Sequence, residues 1–88
     1  MWELEYERDA RKQLRAIRDR VELHRIEQAL LQLRRNPRPA GVKKLSGHID
    51  LWRIRVGDWR IVYRIEDGRL LILIVTVAKR GEVYRKLG

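Results

Sequence analysis

Trp2, Leu4 and Tyr6 alternate with Glu3, Glu5 and Glu7, a period of two that predicts a strand with one buried face. The period then changes. Ala10, Leu14, Ile17 and Val21 follow at spacings of four, three and four, the mark of a helix with one apolar stripe. Arg8, Arg11, Lys12, Arg15 and Arg18 fall on its other face. Beyond Val21 the next core candidate is Ile26, five residues on, so the stripe loses phase. Asp19 with Glu22 three residues later can form a capping box there. It would open a second helix with Ile26, Ala29, Leu30 and Leu33 on one side. Asn36-Pro37-Arg38-Pro39 ends that helix, because proline lacks the amide donor and disfavours helix at the residue before it. The expectation is a helical hairpin, with one longer, bent helix as the alternative.

The second half predicts a meander. Trp52, Ile54 and Val56 alternate with Arg53 and Arg55; Gly57-Asp58 follows, and then Trp59, Ile61, Tyr63 and Ile65. Asp67-Gly68 signals a second two-residue turn of type I′. Leu70 to Ala78 runs without alternation, as a central strand covered on both faces does. The tail from Lys79 to Lys86 is basic, with one aromatic, Tyr84. Strand, two helices, three strands and a tail make an α+β domain, residues 1–88 forming one unit with the helices on one face of a single sheet.

Hairpin geometry sharpens this picture. With Gly57 and Asp58 as the loop, Val56 pairs with Trp59, Arg55 with Arg60, Ile54 with Ile61, Arg53 with Val62 and Trp52 with Tyr63. Arg53, Arg55, Arg60 and Arg64 then share one face, and the Trp/Ile/Tyr set forms the other. Like charges directly opposite each other cost a fraction of about 1 kcal/mol. A row of guanidiniums, whose planar fork matches phosphate oxygens, reads as an anion site. The plain alternative is a solvated face, since Arg is the favoured base here, with 16 Arg to 5 Lys. By the same count Val62, Leu71, Leu73, Val75 and Val77 lie on the arginine face, beneath the tail or a partner.

Charge agrees. The chain of 88 residues has 21 Lys+Arg against 12 Asp+Glu, a formal charge of +9, which suits a polyanion partner. Residues 1–40 carry 10 basic and 7 acidic side chains, residues 41–88 carry 11 and 5, so the excess lies with the meander and tail. Lys79, Arg80 and Tyr84 would reach the strand ends, where a tyrosine can stack a base. Lys44 can touch a phosphate, and Arg11, Lys12 and Arg15 can track a backbone along the first helix. Other chemistries find little material. There is no cysteine, one serine (Ser46) and no phosphate-binding glycine loop. His24 and His48 lack a carboxylate cluster nearby in sequence, so neither a metal nor another cofactor is expected. Met1-Trp2-Glu3 lacks the basic-then-apolar order of an export leader, and no apolar run approaches the ~20 residues of a spanning helix. A cytoplasmic protein with no membrane association is expected.

Lys44-Leu45-Ser46-Gly47, then Leu51 through Tyr63, resembles the signature of the RelE/ParE toxin superfamily in its RelE-like branch, and Val77 through Tyr84 resembles that branch's end. The resemblance implies the toxin of a type II toxin–antitoxin pair, a ribosome-dependent endoribonuclease cutting mRNA, together with an acidic antitoxin that wraps it. It carries phosphate-contacting roles onto Arg60 and Arg80, an aromatic role onto Tyr84, and two basic roles onto Arg53 and Arg55. Well-known members have lysines at those last two places. A guanidinium keeps its proton at neutral pH, so a base must come from Tyr84 or Lys79, or the reaction must rest on electrostatics and positioning. The implied reaction is metal-free attack of the RNA 2′-hydroxyl on the adjacent phosphate. Alternatives are a ParE-like toxin acting on DNA gyrase, and a catalytically idle homologue that binds RNA or antitoxin.

Overall fold

The computed structural model describes residues 1–45 and 50–82. Strand β1 (Glu3–Tyr6) leads into helices α1 (Arg8–Ala16) and α2 (Arg20–Arg35). Strands β2 (Lys43–Lys44), β3 (Leu51–Val56), β4 (Trp59–Glu66) and β5 (Leu71–Lys79) follow. They form one sheet in the order β1-β5-β4-β3-β2, with β1 parallel to β5 and the remaining pairs antiparallel. β5 is covered on both faces, Ile72, Ile74 and Val77 lying in one apolar cluster and Val75 and Ala78 in another, which accounts for its unbroken apolar run. The two-residue β2 is an addition to the expected meander.

The helical region is a hairpin, and it breaks where the stripe lost phase. Ile17 is extended, and the Asp19 carboxylate caps α2 by accepting from the amides of Val21 and Glu22 at 2.9 and 3.0 Å. The reciprocal half of the expected capping box is absent. Glu22 instead accepts from the Trp59 indole Nε1 at 3.1 Å, tying α2 to the head of β4. Because the helical phase restarts at Asp19, Val21 leaves the stripe and is 70% exposed, contrary to the sequence expectation. Ile26, Leu30 and Leu33 are buried as the spacing required.

The main core lies between the helices and one sheet face. Ala10, Ile17, Ile26, Leu30 and Leu33 meet Ile54, Ile61, Tyr63, Ile65, Ile72, Ile74 and Val77 there. Tyr63 is fully buried, its hydroxyl donating to the Pro37 carbonyl at 2.7 Å, and burial pushes its pKa up. That bond fixes the segment after α2 against the sheet.

The two predicted turns behave differently. Gly57 takes a φ of 61° at the first position of a two-residue loop, and Val56 pairs with Trp59. Asp67-Gly68 does not form the expected type I′ turn. One turn of 3₁₀ helix spans Asp67–Arg69, Leu70 takes a left-handed φ of 51°, and the strands close at Glu66 and Leu71. Two contacts hold this longer loop. The Arg38 guanidinium grips both Asp67 oxygens at 3.2 and 3.0 Å, holding that carboxyl below its usual pKa, and the Leu70 carbonyl accepts the Glu3 amide at 2.9 Å.

The Asp19 cap sets the break between the helices, and its removal costs about 1 kcal/mol. Asp19→Ala is therefore expected to lower the thermal midpoint by roughly 4–8 °C for a domain of this size. Thermal unfolding followed by circular dichroism checks this; an unchanged midpoint would mean that the cap does not hold the break.

Candidate functional site

The β3–β4 register matches the count made from the turn: Arg55 stands directly opposite Arg60, Arg53 opposite Val62, and Leu51 opposite Arg64. Strand alternation therefore puts Arg53, Arg55, Arg60 and Arg64 on the sheet face away from the helices. A second apolar cluster of Leu51, Val62 and Ala78, with Leu45 and Val75 against it, shares that face. One expected member is missing. The β4–β5 ladder shifts between Val62, which faces Thr76, and Tyr63, which faces Ile74, so Val75 is an extra residue. The bulge turns Val77 into the main core instead of onto the arginine face.

The four arginines differ in exposure. Arg55 and Arg64 are exposed, whereas Arg53 and Arg60 are 8% and 5% exposed. The Arg60 Nη1 donates to the carbonyls of Gly57 and Trp59 at 3.2 and 3.0 Å, so its charge is held against its own turn. Arg80 is exposed just beyond β5, and its backbone amide donates to the Asp58 carbonyl at 2.9 Å. The β3–β4 turn thus gathers Arg55, Arg60 and the segment bearing Arg80 at one end of the sheet. Tyr84, Ser46 and His48 lie outside the described residues.

Several expected cations stand elsewhere. Lys79 pairs with Trp59 in register, and its Nζ lies 5.7 Å from that indole, on the helix side of the sheet. Lys44 pairs with Trp52, and its Nζ lies 5.7 Å from that ring, again on the helix side. Lys43 takes the place foreseen for Lys44, since it pairs with Arg53 and alternates onto the arginine face. Only the register of the two-residue β2 separates these neighbours, and no periodicity reaches so short a strand. Arg11, Lys12 and Arg15 are exposed on α1, a different layer of the molecule from the arginine face. α1 lies along the part of β5 that β1 leaves unpaired, where Gln13 Oε1 accepts the Val77 amide at 2.6 Å.

Chemically, the face offers fixed positive charge. Arginine forks on two adjacent strands can hold a phosphodiester from two directions, with Lys43 on the flank.

A family model described as the ParE toxin of the parDE type II toxin–antitoxin system matches residues 4–84. The chain belongs to that family, within the RelE/ParE toxin superfamily. The toxin's fold is shared with solved structures. The isolated E. coli RelE toxin superposes with a TM-score of 0.77 at 25% identity, over 99% of this chain and 95% of that one. A chain of the archaeal RelE–RelB complex from Pyrococcus horikoshii gives 0.78 at 25%, over 93% and 98%. One from a RelBE toxin–antitoxin complex of Mycobacterium tuberculosis gives 0.75 at 26%, over 90% and 98%. No curated protein sequence matches the chain.

In this toxin Arg60 braces a turn as well as presenting charge, and hydrogen bonds from a charged group contribute about 1.5–3 kcal/mol. Arg60→Ala is expected to lower the thermal midpoint by roughly 10 °C, whereas exposed Arg55→Ala shifts it by no more than about 2 °C. Equal midpoints for the two variants would contradict the bracing role.

Proposed function

We propose that this RelE/ParE-family toxin is an endoribonuclease that cuts mRNA positioned by the ribosome. The observation that carries the reading is the placement of Arg55 directly opposite Arg60, with Arg53 and Arg64 on the same face and Arg80 beside the same turn. An RNA phosphodiester seated there carries its own nucleophile, the 2′-hydroxyl. The 2′-oxygen attacks phosphorus, the bond to the 5′-oxygen breaks, and a 2′,3′-cyclic phosphate remains. The 2′ proton leaves to a base and the departing 5′-oxygen gains one.

Negative charge grows on the non-bridging oxygens in that transition state. Guanidiniums fixed in advance lower the barrier, because they need no reorganisation as the charge develops. Arg55 and Arg60 take this role, Arg80 stabilises the departing oxygen, and Arg53, Arg64 and Lys43 hold flanking phosphates. None of these arginines can serve as the base at neutral pH. The resemblance assigns Tyr84 to the scissile nucleotide, to stack a base or move the 2′ proton. The Lys79 ammonium lies over Trp59 on the helix side, which leaves the phenol as the better-supported candidate. Because the guanidiniums supply the positive charge, the proposed reaction uses no metal. A site so dependent on electrostatics gains from a substrate aligned elsewhere, and alignment contributes several kcal/mol. The ribosome would provide it.

The E. coli, P. horikoshii and M. tuberculosis relatives occur in complexes with antitoxins, and a cognate antitoxin is the proposed partner here as well. Its acidic residues would neutralise the arginine face. Among the described residues no helix is long and apolar enough to cross a membrane, and the cytoplasm is the proposed site of action. One observation favours a second reading, a ParE-like toxin directed at DNA gyrase: the matching family model bears the ParE name.

Expression in a bacterial host separates the readings. Growth arrest with new mRNA 5′ ends at ribosome-protected positions is expected, and Arg55→Ala should reduce that cutting about 100- to 1,000-fold. Gyrase-dependent DNA damage without mRNA cuts would favour the second reading. Undiminished cutting by Arg55→Ala would overturn the site.

A further inference from the structure

β2 covers only part of β3. Lys43 pairs with Arg53 and Lys44 with Trp52, and among the described residues no strand lies beside residues 54–56 on that side. The two-residue loop makes Val56 and Trp59 a hydrogen-bonded pair. Alternation then turns the main-chain groups of Ile54 and Val56 towards β4, and those of Arg53 and Arg55 towards the β2 side. The Leu51 carbonyl, in the same phase as Arg53 and Arg55, accepts the Leu45 amide at 2.9 Å on that side. The chain that could have continued β2 alongside Arg55 turns away instead. Gly41 takes a φ of 86°, and the Val42 amide donates back to the Pro39 carbonyl at 3.1 Å. One amide and one carbonyl, both of Arg55, are left facing outward just before the hairpin turn.

A cleft opens at that point. Gln32 and Leu33 of α2, Pro39 and Gly41 of the connection, and Ile54 and Arg55 of β3 line a space of about 230 Å³. Leu33 and Ile54 are buried and give it apolar walls, whereas Gln32 is exposed at the rim. Among the described residues none of its walls is acidic. The volume falls below the roughly 300 Å³ at which drug-sized ligands begin, so a single small ring system is the largest group it can take. Arg55 belongs to two places at once. Its main chain borders the cleft, and its exposed side chain stands on the arginine face around the edge of the same strand.

These features constrain what can enter. An added protein strand gains little, because it bonds at every second residue and Arg55 alone is uncovered before the chain turns. A lone phosphate makes no use of apolar walls. A nucleobase meets each demand: it is flat, apolar on both faces, and carries a donor beside an acceptor on its Watson–Crick edge. We propose that this cleft receives one unstacked RNA base, that of the nucleotide whose phosphate the Arg55 guanidinium holds on the arginine face. The base edge pairs with the Arg55 amide and carbonyl, and its faces pack against Leu33, Pro39 and Ile54. The Gln32 carboxamide, donor and acceptor together, bonds the edge left outside. All four bases present a donor next to an acceptor, so the cleft tolerates base identity and fixes the strand's register on the arginines. The assignment rests on the arginine-face reading, since the phosphate brings the base to this edge.

Titration of the ¹⁵N-labelled protein with adenosine 5′-monophosphate, uridine 5′-monophosphate and base-free ribose 5-phosphate tests the site. Both nucleotides are expected to shift the Arg55 and Gly41 amides and the Gln32 carboxamide, to slow hydrogen exchange at the Arg55 amide, and to bind within about threefold of each other. Ribose 5-phosphate should shift the guanidinium resonances of the arginine face alone and bind about tenfold more weakly, the difference being the base. Ala40 lines the mouth of the cleft and is exposed, so Ala40→Trp can fill it without entering the core. That variant should keep its thermal midpoint and its affinity for ribose 5-phosphate while losing the tenfold advantage of the nucleotides. Equal affinities with and without a base, base-dependent shifts centred elsewhere, or nucleotide binding untouched by Ala40→Trp would each overturn the proposal. The sugar phosphate separates this failure from that of the underlying reading. If it shifts the arginines and the base adds nothing, the cleft fails alone; if neither ligand shifts them, both fail.

Discussion

The two-residue turn at Gly57-Asp58 determines on which face of the sheet the arginines of the candidate site stand. A strand slipped by one residue exchanges its faces, which would bury the arginines against the helices and expose the Trp/Ile/Tyr set. Gly57 supplies the positive φ that allows so tight a loop. Four hydrogen bonds from outside the ladder then brace it. Arg60 holds the carbonyls of Gly57 and Trp59, the Arg80 amide holds that of Asp58, and Glu22 of α2 holds the Trp59 indole. Opposed arginines cost stability, and part of that cost is offset because one of them serves as the brace. The two bonds from Arg60 also fix its guanidinium in place.

The two faces and the edge of the sheet have separate chemistries. The helix side is apolar, and the cations that reach it lie over indoles: Arg38 and Lys44 over Trp52, Lys79 over Trp59. The opposite side carries the arginine row over a small apolar cluster. At the far edge β1 turns its glutamates to that same side, two strands away from Arg64 along the row that runs through Leu73.

Much of this was legible in the chain. The period change at Tyr6, the phase loss after Val21 and the Gly-Asp turn gave the helical hairpin, the meander register and the arginine face, because each follows from local geometry. What escaped depended on contacts distant in sequence. The bulge at Val75 is a mismatch between β4 and β5, and a continuous apolar run carries no periodicity to reveal it. The Asp67 loop departs from its two-residue preference beside an Arg38 reaching it from across the fold. Lys43 and Lys44 exchange roles through a register only two residues long. Glu22 was read as a partner for its own cap, yet it bonds an indole 37 positions away.

The central claim, that guanidiniums from β3 and β4 jointly seat a phosphodiester, is tested most directly by observing those groups with RNA bound. A short RNA made uncleavable by a 2′-deoxy substitution at the scissile nucleotide serves as ligand, and the arginine Nε–Hε resonances are followed by NMR. The account predicts shifts at Arg53, Arg55, Arg60 and Arg64 together, with the Lys44 and Lys79 ammonium groups little changed. Shifts confined to α1 or to the helix side of the sheet, with those four arginines unmoved, would contradict it.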